Sequence, residues 1–322
     1  MPHLKIYKTF MAHKAGYITI LGYPNVGKST LMNALVGEKL SGITPKAQTT
    51  RHRIIGILNG ENYQIVFSDT PGILTPKYKL HQAMAAAIGS SIADADIILL
   101  VTEPGLKFTH EEILERILKT DLPVIVLINK IDTIDQHKLE KEVEQWAKLL
   151  PRAEILPVSA LHNSNLDLLR TRLVKLLPQH PPFYDKDELT DRNERFFVAE
   201  IIREKILMNY SQEVPYSVEV AIDSFKEDES MIRIRAIIFI ARESQKAIIL
   251  GHQGKAIKKL GTDARKAIEE FLDRHIFLEL HVKVSKDWRE DELQLKRFGY
   301  MMGEENNTKQ KAKSEKRKEK SE

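Results

Sequence analysis

The sequence predicts an α/β protein: a doubly wound, mostly parallel sheet followed by a smaller α+β domain. Three observations carry that reading. Between residues 15 and 177, short apolar runs alternate with stretches of helical periodicity, the pattern of a parallel sheet with helices on both faces. At residues 178–194 the composition turns to prolines and charges with little to bury, as in a linker. Over residues 195–303 the periodicities run helix, strand, strand, helix, helix, strand, too small and too mixed a set to extend the first sheet.

The elements follow in order. The runs YITILG, YQIVFSD, DIILLVTE, PVIVLINK and AEILPVSA include several that are apolar on both sides, as in strands buried between helix layers. RIIGILN and YQIVFSD are separated only by residues 60–62, and so short a connection predicts an antiparallel hairpin at one edge. In the second domain ERFFVAEIIREKILMNY has helical spacing, YSVEVAIDSF and MIRIRAIIFIA alternate around EDES, two helical stretches flank GHQG, and IFLELHVKV is a last strand. Residues 1–14 read as an N-terminal extension; Met11 opens MAHKAGYITI, so residues 1–10 are an extension or a misassigned start. Residues 304–322 read as a disordered basic tail.

Composition sets bounds. At 322 residues the chain can bury two cores, and 42% hydrophobic with 29% charged residues is the balance of a soluble globular protein. No apolar run approaches the ~20 residues that span a bilayer, and the start lacks the apolar core of a signal peptide. The absence of cysteine excludes disulfides, thiolate nucleophiles and cysteine-ligated zinc, and fits a reducing cytosol. A net charge of +4 does not diagnose nucleic-acid binding, but its distribution does more. Residues 242–266 carry seven Lys/Arg against two acids, whereas 195–303 as a whole carry 19 against 18.

Two glycine loops suit negatively charged ligands. GYPNVGKS (22–29) fits G-x-x-x-x-G-K-[ST] between a strand and a helix, the context of a phosphate loop. Main-chain N–H groups from Asn25, Val26, Gly27, Lys28, Ser29 and Thr30 would surround phosphates at a helix N-terminus. Lys28 would reach the β- and γ-phosphates and Ser29 would ligate Mg²⁺. DTPG (69–72) closes the strand YQIVFSD, placing Asp69 to hold Mg²⁺ through water and the Gly72 N–H to sense a γ-phosphate. In GITPKAQTTRHR (42–53) a threonine would complete the Mg²⁺ shell, Thr50 being preferred and Thr49 the alternative. NKID (129–132) supplies Asn129, Lys130 and Asp132; the Asp132 carboxylate accepts from both the ring N–H and the amine of guanine, a donor pair that adenine lacks. Ser159 and Ala160, ending the next strand, offer an N–H to the guanine oxygen. Together these elements select GTP and GDP with Mg²⁺.

One catalytic group is missing. Many GTPases carry a glutamine just after DxxG to orient the attacking water, and here Ile73 stands in that place. Transition-state charge then falls to Lys28, Mg²⁺, main-chain N–H groups and one further group, for which Asn25 is the candidate: its amide oxygen suits a monovalent cation.

GYPNVGKST, QTTR, DTPGI, NKID and SA, joined to a GHQG domain, resemble the Era family of bacterial GTPases of small ribosomal subunit assembly, over nearly all of residues 15–303. The resemblance implies a P-loop GTPase domain of the TRAFAC class followed by a type-2 KH domain, slow GTP hydrolysis, binding to 16S ribosomal RNA near its 3′ end and a role in 30S assembly. It also implies a cytoplasmic, monomeric protein with loose contact to the inner face of the membrane. Relatives with this asparagine and a hydrophobic residue after DxxG include potassium-stimulated enzymes, so K⁺ at Asn25 is expected. A KH loop clamps about four nucleotides of single-stranded backbone, which assigns RNA contact to Gly251, His252, Gln253, Gly254, Lys255 and Lys258; Ile248, Ile249 and Ile257 either form a wall beneath the bases or, the stronger reading for each singly, pack in the core. Trp288 and Tyr300 either stack on bases or cap the core. The competing reading is a GTPase switch whose second domain docks a protein or membrane, with GHQG as structure only.

Overall fold

A computed structural model describes residues 13–300; the expected extension before residue 13, the start-site question and the basic tail lie outside the described residues. The first domain runs β1 (Lys14–Leu21), α1 (Lys28–Val36), β2 (Ile54–Asn59), β3 (Tyr63–Asp69), α2 (Lys79–Asp94), β4 (Ile97–Thr102), α3 (Glu111–Lys119), β5 (Val124–Ile128), α4 (Gln136–Leu149), β6 (Glu154–Pro157) and α5 (Leu166–Leu176). Its sheet has the order β2-β3-β1-β4-β5-β6. The β2–β3 pair is antiparallel and the others are parallel, as the short 60–62 connection predicted. All six residues of β4 are buried, because helices cover both faces of the central strands. Such a sheet collects its loops at the carboxyl ends of the strands, where ligands bind. β1 feeds the phosphate loop, β3 ends on Asp69 and β5 delivers Asn129.

Residues 178–193 carry no helix or strand, as a linker predicts, but they do bury residues. Phe183 and Tyr184 pack on Ile55, Ile57 and Val66, a sheet face near the edge that the helices leave open. The fully buried Gln64 side chain fixes this strap. Its Oε1 accepts from the N–H groups of Phe183 (2.7 Å) and Tyr184 (3.0 Å), and its Nε2 donates to Tyr184 O (2.9 Å) and Asn59 Oδ1 (2.8 Å). Leu189 O then accepts the outward N–H of Ile57 on edge strand β2 (2.8 Å).

The second domain runs α6 (Glu194–Asn209), β7 (Val218–Glu227), β8 (Ile232–Ile240), α7 (Glu243–Leu250), α8 (Lys255–Leu272), β9 (Ile276–Val284) and α9 (Glu292–Arg297). Its sheet is β7-β8-β9, antiparallel then parallel. Asn193 caps α6 by accepting from the Phe196 N–H. Leu260, Ala264 and Ile268 form a buried stripe on α8 at four-residue spacing. They share a core with Ile202 and Ile206 of α6 and the inward residues of β8. Among the described residues no helix is long and apolar enough to cross a membrane.

Trp288 and Tyr300 do not stack on bases. Trp288 is fully buried and donates from Nε1 to Ser217 O (3.0 Å). Tyr300 donates to Glu219 Oε2 (2.6 Å) and stacks on His52 (4.2 Å). Both join Leu80, Ala83 and Met84 of α2 in one cluster, so these aromatics seal the boundary between the domains.

Candidate functional site

The phosphate loop turns through Asn25 (φ 68°) and Gly27 (φ 95°) into the N-terminus of α1. Lys28, buried, donates to the carbonyls of Gly22 (3.1 Å) and Tyr23 (2.8 Å). Burial lowers its pKa to about 8, against the pull of the Asp69 carboxylate. The Val26 side chain is buried in the core, leaving its main chain as what it offers. A cleft of about 300 Å³ is lined by Asn25, Lys28, Ser29, Thr50, Gly72 and Lys130, among others. Gly72 lies so close to the phosphate loop that a Cβ there would stand 2.7–2.9 Å from Pro24.

Ser29 Oγ donates to Asp69 Oδ2 (2.7 Å) and lies 3.0 Å from Thr50 Oγ1. Asp69 is fully buried, and its Oδ1 has no hydrogen-bond partner. Burial raises its pKa, with Lys28 and the neighbouring hydroxyls opposing. An orphaned buried carboxylate oxygen beside two hydroxyls is the hard-oxygen donor set that Mg²⁺ takes. The alternative, Thr49, turns away: its hydroxyl meets Thr44 Oγ1 (2.6 Å) and Lys46 O (2.7 Å). Ile73 is 2% exposed and packs inward with Leu21 and Ile98.

The base-side residues form a second cluster. Ser159 Oγ donates to Asp132 Oδ1 (2.5 Å) and holds that carboxyl below its usual pKa. Asn129 is buried and acts as a brace, which its motif does not announce. Its Nδ2 donates to Val26 O (2.8 Å), and its Oδ1 accepts the Ala160 N–H (2.9 Å). Of the N–H groups that Ser159 and Ala160 offer, that of Ala160 is thus engaged by Asn129, because a buried carboxamide needs partners at both ends. Lys130 donates to Asn25 O (2.7 Å) and pairs with Glu103. Asn25 Nδ2 reaches Pro45 O (2.9 Å), tying the phosphate loop to the 42–53 segment.

In the second domain α7 ends at Gly251 (φ 69°, ψ 176°), and Gln253 (φ 52°) and Gly254 (φ 74°) turn the chain into α8. A Cβ on Gly251 would meet the Ala256 Cβ at 2.6 Å, whereas Gly254 faces open space. His252, Gln253, Lys255 and Lys258 are exposed. Ile249 is fully buried, the core packing that the sequence favours for it singly, while Ile248 is 48% exposed. Phe277, 53% exposed on β9, borders a groove with Ile257, Lys258, Gly261 and Arg265; in the sequence it read only as a strand residue.

A family model described as 50S ribosome-binding GTPase matches residues 17–130, and one described as KH domain matches residues 213–289. GTPase Era of Geotalea daltonii is 46% identical over 289 residues, 89% of this chain and 97% of that one. GTPase Era of Nitrosomonas eutropha is 46% identical over 292 residues, 98% of its length. This chain belongs to the GTPase Era family.

Two solved Era structures superpose on it at 41% identity, each over 89% of this chain and 99% of its own. Aquifex aeolicus Era Y63A bound to GDP·AlF₄⁻ has a TM-score of 0.85. Era in complex with MgGDPNP and nucleotides 1506–1542 of 16S ribosomal RNA has a TM-score of 0.86. The Era architecture, a P-loop GTPase domain followed by a KH domain, is therefore the architecture of this chain. The sequence left unread the buried charges where the two Era domains meet. Glu200 and Arg203 interrupt the apolar stripe of α6 at i,i+3 spacing, and that interruption is the signal that finds them.

Proposed function

We propose that the chain hydrolyses GTP to GDP and phosphate, and that its nucleotide state governs binding to 16S ribosomal RNA near the 3′ end during 30S subunit assembly. One observation carries the reading. A guanine-nucleotide constellation and a glycine-turned basic loop occur in one chain that is 41% identical to an Era solved with both MgGDPNP and 16S RNA.

The chain's groups divide the work. The N–H groups of residues 25–30 and the α1 N-terminus hold the phosphates, and Lys28 exchanges its loop carbonyls for β- and γ-phosphate oxygens. Ser29, Thr50 and, through water, Asp69 hold Mg²⁺, which when bound neutralises charge developing on the β- and γ-oxygens. The Gly72 N–H meets the γ-phosphate. Asp132 reads guanine, with Asn129 bracing that corner and Lys130 joining it to the phosphate loop. Ile73 faces the core, so no side chain there aligns water. Asn25, whose Nδ2 is engaged by Pro45, keeps Oδ1 for a potassium ion beside the phosphates. Turnover should be faster in potassium than in sodium; equal rates, unaffected by Asn25→Ala, would remove the potassium site.

RNA backbone lies on Gly251 to Gly254, with Lys255 and Lys258 adding salt-dependent attraction. The GTPase unit spans 15–177, the strap 178–194 and the RNA unit 195–303. The protein acts as a cytoplasmic monomer whose membrane contact is peripheral. Crosslinking in cells followed by sequencing of the attached RNA tests the whole reading: 16S 3′ sequences should dominate. Their absence, together with no filter retention of such oligonucleotides at low salt, would leave a GTPase docking some other partner.

A further inference from the structure

The loop bearing Thr50 is tied to the second domain on both sides of that residue. Upstream of it, Arg203 of α6 donates to the carbonyls of Gln48 (3.1 Å) and Thr49. Downstream, Arg51 donates to Val218 O (2.6 Å), Pro215 O (3.3 Å) and Glu219 Oε2 (3.2 Å). Tyr300 adds a second donor to Glu219 Oε2 (2.6 Å). Arg51, Arg203 and Glu219 are 1%, 2% and 3% exposed. Removing such ions from water is costly unless each finds geometry that compensates: Arg203 places its donors on main chain within two residues of Thr50, and Arg51, the residue after Thr50, anchors its own side chain on the second domain. His52, Glu200 and Glu219 lie within 4.8 Å of one another, but their carboxylates are paired to Arg203 and Arg51, so this cluster belongs to the clamp and is not a metal site.

We infer that Arg51, Arg203 and Glu219 are positioning residues of the nucleotide site: Arg203 holds the main chain before Thr50 from across the domain boundary, and Arg51 after it is anchored across that boundary on Glu219 and the Val218 carbonyl, so that the Thr50 hydroxyl stands against Ser29 and the Asp69 side of the Mg²⁺ site. The inference rests on Thr50 being a Mg²⁺ ligand in the GTP state. Because groups behind metal ligands orient them, their loss weakens the metal-dependent complex without touching the rest of the site. The coupling is reciprocal, so nucleotide that engages Thr50 also strengthens the hold of the first domain on the second.

The test uses the full chain, a fluorescent non-hydrolysable GTP analogue and GDP, each titrated at a series of Mg²⁺ concentrations. Arg51→Lys and Arg203→Lys keep the charge and lose the forked geometry. Each should weaken the GTP analogue about tenfold and raise the Mg²⁺ needed, while GDP affinity stays within about twofold. Tyr300→Phe, which removes one donor to Glu219, should shift the analogue less and in the same direction. If Thr50→Ala shifts the analogue and these variants match the parent, the clamp is overturned alone. If Thr50→Ala also matches the parent, the Mg²⁺ role of Thr50 falls and the clamp with it. Equal weakening of GDP and analogue in the lysine variants means general damage to the fold and overturns the positioning role.

Discussion

In the function proposed, the choice of base rests on one carboxylate, that of Asp132. Ser159 holds it in place and below its usual pKa, so it is ionised at neutral pH and only accepts. Asp132→Asn turns one acceptor into a donor facing the guanine amine. GTP affinity should fall at least about tenfold, since an unpaired polar group costs about 1–3 kcal/mol, and xanthosine triphosphate should compete better. Unchanged preference in a competition assay would count against the assignment. The two loop glycines separate folding from recognition. At Gly251 a side chain strikes Ala256, whereas Gly254 opens on free space and only its left-handed φ of 74° resists substitution. Gly254→Asp should therefore cost about 1–2 kcal/mol of stability yet lower filter retention of 16S 3′ oligonucleotides at least tenfold. Of the nucleotide residues, Asp132 stands out in its NKID motif, whereas the sequence left Thr50 and Thr49 open and only their hydroxyl contacts separate them. The bracing by Asn129 was not legible, since it depends on Val26 and Ala160, residues far apart in the chain.

Among elements, α8 concentrates the argument for RNA. It begins on the glycine loop and carries Lys255, Lys258 and Lys259 exposed near its start, so in the function proposed the helix N-terminus and the lysines would act on the same phosphates. Replacing Lys255 and Lys258 by alanine should weaken binding across RNA sequences alike. Each lysine lost should reduce the slope of log affinity against log salt by about 1; an unchanged slope would place the RNA elsewhere. The strands of both sheets were readable from their apolar periodicity, which one chain segment encodes by itself. The short helix α9 was not. It depends on Asp291, which accepts from the Leu293 and Gln294 N–H groups, and on Leu295 entering a cluster built mainly by other segments.

In the whole molecule the domains meet over buried histidines. His81 sits against Tyr78 (3.8 Å) with its Nε2 3.0 Å from Gln48 Nε2. Burial, then the nearby Arg51, Arg289 and Lys77 charges, lower its pKa to about 4. Burial lowers His52 as well. Both stay neutral in the fold while the unfolded chain takes up protons near its ordinary pKa of about 6.5. Between those values the unfolded state binds more protons, so stability falls as pH falls. Urea unfolding at a series of pH values should show the loss between about pH 6.5 and 4, with His81→Gln flattening part of it; a parent curve flat across that window would contradict the burial of these rings. Beyond the Glu200–Arg203 interruption of α6, nothing in the sequence foretold this boundary, because it joins residues from opposite ends of the chain.

The ribbon from 178 to 193 has a consequence for dissecting the protein. Lys186 pins the hairpin turn through the carbonyls of Gly60 (2.7 Å) and Tyr63 (3.0 Å), while Leu189 occupies the outward amide of Ile57. A fragment trimmed at Leu177 would bare that margin together with the greasy strip of Ile55, Ile57 and Val66. Exposed strand margins pair with one another, so such pieces would zip into aggregates, and the safe place to cut lies beyond Asn193.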